Sequence, residues 1–198
     1  MIPTECKMPD ISDLEFPLKK PLLLTTFIGD PGLSRKEALY RRNFVRLIDK
    51  SIKSYLEARN TIIMQIEEFN RRKEGINRAE SNFHIIEFTD FFEDCINAIA
   101  RLLKQLDSIK TESGSWQMPK DMKRSIVAHS KNIPDIRNAA EHMDEIIQRD
   151  ELQVGQPVML AIGGDGDKAI LGPYEVRFDH VAMTIRRLHN VARILLGI

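Results

Sequence analysis

Cysteine is scarce: Cys6 and Cys95 are the only two in 198 residues. Two isolated thiols do not build a disulfide framework, and no Cys/His spacing suits a zinc site. Cys6 falls in an irregular leader and Cys95 on an apolar stripe. Net charge is missing too, with Lys and Arg totalling 29 and Asp and Glu totalling 29. A chain that coats nucleic acid without regard to sequence is ordinarily basic, so any nucleic-acid contact here must be local. Long apolar runs are also absent, and the uninterrupted ones fall far short of the ~18 residues that suggest a membrane span. The N-terminus lacks the basic stretch and apolar run of a secretory signal. The expectation is a soluble protein of the reducing cytoplasm, with no membrane contact and no cofactor.

What is present is ordinary for a globular domain: 42% hydrophobic and 29% charged residues. The length suits one domain with a core that needs no staples. Residues 1–33 carry Pro3, Pro9, Pro17, Pro21 and Pro31. That density denies the backbone helical hydrogen bonds and favours extended or turn geometry. Leu22, Leu23, Leu24 and Phe27 make this arm apolar enough to pack on the body or on a partner. Residues 34–198 read as the helical domain.

Ser34 and Glu37 form a capping-box pattern after the Pro-Gly turn. Val45, Ile48, Ile52, Tyr55, Ile62, Ile66 and Phe69 then recur at spacings of three and four, interrupted only by Arg59. A second seam follows the polar segment 70–75: Ile85, Phe88, Phe92, Cys95, Ile99, Leu102, Leu106 and Ile109. Phe91, Ile96 and Leu103 widen it, which marks a central helix. Two long seams with a short link predict an antiparallel helical hairpin. Pro119 and Asp121 open a third helix running to about Ser130. Asn132 is placed to cap a fourth, with Pro134 in its first turn, running to about Arg149. Between 157 and 172 the period shortens. The runs Val158 to Ile162 and Ala169 to Leu171, joined by Gly163 to Asp167, predict a β-hairpin. Phe178, Val181, Ile185, Leu188, Ala192 and Leu195 give a last helix. The expected fold is an all-α antiparallel bundle of about five helices, with a small β-hairpin before the C-terminal one.

One stretch of the fourth helix suggests chemistry: Arg137-Asn138-Ala139-Ala140-Glu141-His142. At about 100° per residue, Ile136, Ala140, Met143 and Ile147 form the core stripe. Asn138 and His142 lie one turn apart on nearly the opposite face, and Arg137 lies between the two faces. Such a group can cleave RNA without a metal. The 2′-hydroxyl attack needs a base, and the leaving 5′-oxygen needs an acid. Histidine serves both roles because its ordinary pKa is near neutrality. A guanidinium can stabilise the charge gathering on the phosphorane, and Asn138 can orient His142 or donate to phosphate. One histidine per chain is thin for acid plus base, which favours a symmetric dimer supplying two.

These six residues resemble the Arg-x4–6-His signature of HEPN domains, with the polar residue those domains favour after the Arg. HEPN domains are small helical bundles, often dimeric, and many are metal-independent ribonucleases of toxin–antitoxin, defence or stress systems. The resemblance implies Arg137 and His142 as the catalytic pair at a dimer cleft, with Asn138 in support. It also implies single-stranded RNA as substrate, a homodimer, and a protein partner such as an antitoxin. Asp144 stands where some HEPN toxins carry Tyr, and with Glu141 it sets carboxylates beside the phosphate position. The bare spacing recurs at Arg124 to His129 and Arg78 to His84; Asn138 is what distinguishes the first match.

The bland alternative is an Arg137–Glu141 surface ion pair beside a solvated histidine, on a non-catalytic helical module that binds other proteins. The segment Gly163 to Lys168 lacks the Gly-Lys-Ser/Thr ending of a phosphate loop and the ligand series of an EF-hand, so it reads as a hairpin turn. Phe83, Phe88, Phe91 and Phe92 read as core. Arg186, Arg187 and Arg193 form a basic face on the last helix: solvated, or else a contact for RNA backbone or a second subunit.

Overall fold

The computed structural model describes residues 5–14, 18, 20, 23, 33–73, 84–112 and 118–198. Helices α1 (Arg35–Lys73) and α2 (Ile85–Glu112) are the two long seams. They run antiparallel, as three cross-links show. Asn43 Nδ2 donates to Gln105 Oε1 at 2.9 Å, Lys50 Nζ meets Asp94 at 2.8 Å, and the His84 amide donates to Gln65 at 2.9 Å. As one residue number rises the other falls. The Ser34–Glu37 capping box forms in both directions, at 2.9 and 3.3 Å, satisfying amides that the first turn leaves unbonded.

Arg59, the one break in the α1 seam, is explained by the N-terminal segment. Its Nε donates to the Met8 carbonyl at 3.0 Å, and the Tyr55 hydroxyl donates to the Pro9 carbonyl at 3.1 Å. These bonds seat Met8 and Ile11 in the same core as α1. Leu22, Leu24 and Phe27 lie outside the described residues, and Leu23 is exposed.

Helices α3 (Lys120–Ser130), α4 (Ile133–Glu141) and α5 (Met143–Gln148) follow. A single fourth helix was expected to Arg149; it is interrupted at His142, where φ is −119° and ψ is 24°. The described residues therefore hold six α-helices instead of about five. Asn132 does not cap α4 with its side chain. Its Nδ2 donates instead to the Glu175 carbonyl at 3.1 Å, tying the α3–α4 corner to the sheet.

The hairpin is present but carries a third strand. β1 (Ala161–Gly163), β2 (Lys168–Leu171) and β3 (Tyr174–Arg177) pair antiparallel in that order. Val158 and Met159 were expected in the first strand. They precede it and are exposed, while Gly163, expected in the turn, belongs to β1 and pairs with Lys168. The tight turn is carried by Gly164 and Gly166, both at positive φ, where a Cβ is strained. β3 was missed because Tyr-Glu-Val-Arg buries only Val176, leaving no alternation to read. A Cβ at Gly163 would overlap the Ile170 side chain. Gly163→Ala is therefore expected to cost about 1–3 kcal/mol through overpacking, measured as a fall in the urea midpoint.

Helix α6 (Phe178–Leu196) closes the bundle against α3 and α1. Phe178 sits edge-on to Phe88 and Phe92, at centroid distances of 6.2 and 5.4 Å. Phe88 and Phe92 stack at 5.3 Å, and Phe91 is partly buried against the same core. Phe83 lies outside the described residues. Cys95 is fully buried, which pushes its thiol pKa up, and both cysteines are free. No helix among the described residues is long and apolar enough to cross a membrane.

Candidate functional site at the break between two short helices

Ile133, Ile136 and Ala139 anchor α4 in the core. Their spacing leaves Arg137, Asn138 and Glu141 toward the outside, with Asn138 and Glu141 exposed. The break at His142 is shallow. The His142 amide donates to the Asn138 carbonyl at 3.0 Å, and the Ile146 amide to the His142 carbonyl at 3.1 Å. Beyond it the core-facing residues are Met143 and Ile146, while Ile147 is exposed. The expected stripe through Ile147 assumed an unbroken helix, and the break rotates that residue outward.

Arg137, Asn138 and His142 lie on one exposed strip, in two polar groups. In the first, Arg137 Nη1 donates to Asn138 Oδ1 at 3.2 Å, and Nη2 donates to Glu141. In the second, His142 Nδ1 lies 3.2 Å from Glu145 Oε1, whose other oxygen accepts from Arg149 at 3.1 Å. Arg137 and His142 share no hydrogen bond. The His142 side chain is 57% exposed and that of Arg137 36%, so both can meet a ligand in solution. Asn138 supports the arginine rather than the histidine. The carboxylate of Glu145 beside the imidazole has the geometry that orients a ring.

The other two matches to the spacing differ in surroundings. Arg78 lies outside the described residues, and His84 Nδ1 is 3.1 Å from Glu87. His129 Nδ1 donates to the Ser125 carbonyl at 2.7 Å, within its own helix. Its ring meets that of His180 edge-on at 5.4 Å, across the α3–α6 contact. Sequence reasoning missed this histidine pair. The partners are far apart in the chain, and no local pattern links them. Among the described residues, no group of three or more His, Cys, Asp or Glu side chains gathers as a metal site.

The basic face of α6 is partly engaged. Arg186 makes a two-toothed pair with Asp13, at 2.7 Å for each bond, and Arg187 Nε donates to Ser125 Oγ at 3.1 Å. The Arg186 guanidinium holds the Asp13 carboxyl below the usual range. Compared with known proteins, the chain matches no family model, no curated protein and no solved structure.

Proposed function

We propose that the protein is a HEPN-like, metal-independent endoribonuclease that works as a homodimer on single-stranded RNA. The observation that carries this is the placement of Arg137, Asn138 and His142 on one solvent-facing strip, with the opposite side of α4 fixed in the core. In the reaction the RNA 2′-oxygen bonds to phosphorus and the bond from phosphorus to the 5′-oxygen breaks. A 2′,3′-cyclic phosphate and a free 5′-hydroxyl result. One His142 accepts the 2′-hydroxyl proton, and His142 of the partner subunit gives a proton to the departing oxygen. Arg137 stabilises the extra negative charge on the phosphorane. Unstacked bases leave the phosphate accessible, which is why single strands are the substrate. A protein that masks this strip, as an antitoxin does, would silence it.

A second reading is favoured by one observation: Glu141 already occupies the Arg137 guanidinium. Under it the bundle is a non-catalytic module for binding other proteins. Glu141→Gln separates the two. As an enzyme, the variant has Arg137 free for phosphate and is expected to cleave a single-stranded RNA several-fold faster than wild type. No cleavage by either protein, or no gain in the variant, supports the module instead. An exposed pair of this kind contributes about 0.5 kcal/mol, so folding is not the confounder.

A further inference from the structure

Where α3 packs on α6, two histidines meet. His129 lies in the last turn of α3 and His180 in the first turn of α6. Their ring centroids are 5.4 Å apart with the planes at 84°, and both residues are half-buried. The His129 ring has a fixed orientation. A carbonyl oxygen only accepts, so the 2.7 Å contact with Ser125 places a proton on Nδ1. In the neutral ring, Nε2 then carries the free lone pair. Metal-binding histidines are held in this way, because a carbonyl on one ring nitrogen sets both the tautomer and the direction of the other. The His180 ring makes no hydrogen bond among the described residues, so its nitrogens are also open to a ligand.

The spacing selects a coordination geometry. A zinc–nitrogen bond is about 2.05 Å and the ring centre lies about 1.15 Å beyond the nitrogen, which sets each centroid about 3.2 Å from the metal. At the tetrahedral angle two such centroids are about 5.2 Å apart, against about 4.5 Å at the right angle of a square or octahedral site. The observed 5.4 Å falls by the tetrahedral value. Imidazole suits borderline divalent metals, and the tetrahedral angle favours zinc over copper(II) or nickel(II).

We propose that His129 and His180 bind one zinc ion between α3 and α6, with water in the two remaining positions. Asp179 is not a ligand, since its two oxygens accept from Arg177 at 3.1 Å each. Its charge beside His180 still favours a cation. Arg187 opposes one, held on Ser125 Oγ at 3.1 Å, one turn before His129. With two protein ligands the affinity is moderate, and the ion acts as a clamp between helices far apart in the chain. The site uses neither Arg137 nor His142.

The test is calorimetric titration of the full chain with zinc chloride, beside magnesium chloride, in a buffer that does not bind metals. One zinc per chain is expected to bind and magnesium is not. Saturating zinc should raise the thermal midpoint by about 5 °C, because it binds only the folded chain. His129→Gln and His180→Gln should each weaken zinc binding at least about tenfold. His84→Gln, at a histidine that faces Glu87 instead, should leave it unchanged. If a variant fails to fold, nitrogen-labelled NMR of the wild type decides. Zinc should then shift the His129 Nε2 resonance, leave Nδ1 protonated and shift one nitrogen of His180. Zinc binding is read without RNA, so the outcome stands whether or not the protein cleaves it. No zinc binding, binding that either folded variant keeps, or resonances that move at other histidines and not at these two overturns the proposal.

Discussion

Phe92→Ala is expected to lower the unfolding free energy by about 3–5 kcal/mol. Phe92 is fully buried on α2, stacked on Phe88 and edge-on to Phe178. It therefore couples the long hairpin to the start of α6, immediately after the sheet. Truncation removes the ring's apolar transfer and leaves a cavity bounded by two rigid rings on different elements. Neither ring can collapse into the gap without moving a helix, so relaxation recovers little. Each aromatic pair contributes about 0.5–1.5 kcal/mol beyond area burial, and both are lost. Since domains of this size hold only about 5–15 kcal/mol in total, the variant would unfold at much lower urea. Ile194→Ala, at an exposed position of α6, is the control and should stay within about 0.5 kcal/mol of wild type. A Phe92→Ala midpoint close to that of Ile194→Ala would contradict the packing described here.

His142→Ala and Arg137→Ala are expected to show the reverse profile. Both side chains project from the exposed strip, and the contacts they lose with Glu145 and Glu141 are open to solvent. Stability should stay within about 1 kcal/mol of wild type. RNA cleavage should fall at least about a hundredfold in either variant, since one removes proton transfer and the other removes phosphorane stabilisation. Asn138→Ala should cost less, because Asn138 touches Arg137 rather than the reacting atoms. If the two residues act as a unit, the double variant is no worse than the single ones. Chemical denaturation beside cleavage rates checks this, and a loss of activity that tracks a loss of stability would sink the catalytic assignment.

The fold was legible where a single physical period dominated. The seams on α1, α2 and α6 set helix identity, and the short runs around the Gly-rich turn announced paired strands. What stayed hidden depended on tertiary partners. The purpose of Arg59 becomes visible only when Met8 and Pro9 dock on it. Asn132 has the right residue type for a cap, yet the Glu175 carbonyl competes for its amide. The third strand buries one residue, too little to mark a period. The break at His142 has no Pro or Gly to announce it.

The site was legible in part. Residue spacing placed Asn138 and His142 on one outward face with Arg137 between it and the core stripe, and it also offered Glu141 as the partner of Arg137. That Glu145 would hold His142 was not foreseen, although the two stand three residues apart in the chain. Neither the His129–His180 contact nor the orphaned nitrogen of His189 leaves a trace in the sequence. Both arise from helices that meet only after folding.

The most direct test is to incubate the purified protein with mixed single-stranded RNA in EDTA and to map the new ends. His142→Ala and Arg137→Ala are run beside it at equal concentration. Cleavage in the chelator, leaving 2′,3′-cyclic phosphate ends and lost in both variants, is the expected result. A folded wild type that leaves the RNA intact, or variants that cleave as fast as wild type, would contradict the assignment of Arg137 and His142 and leave a protein-binding module.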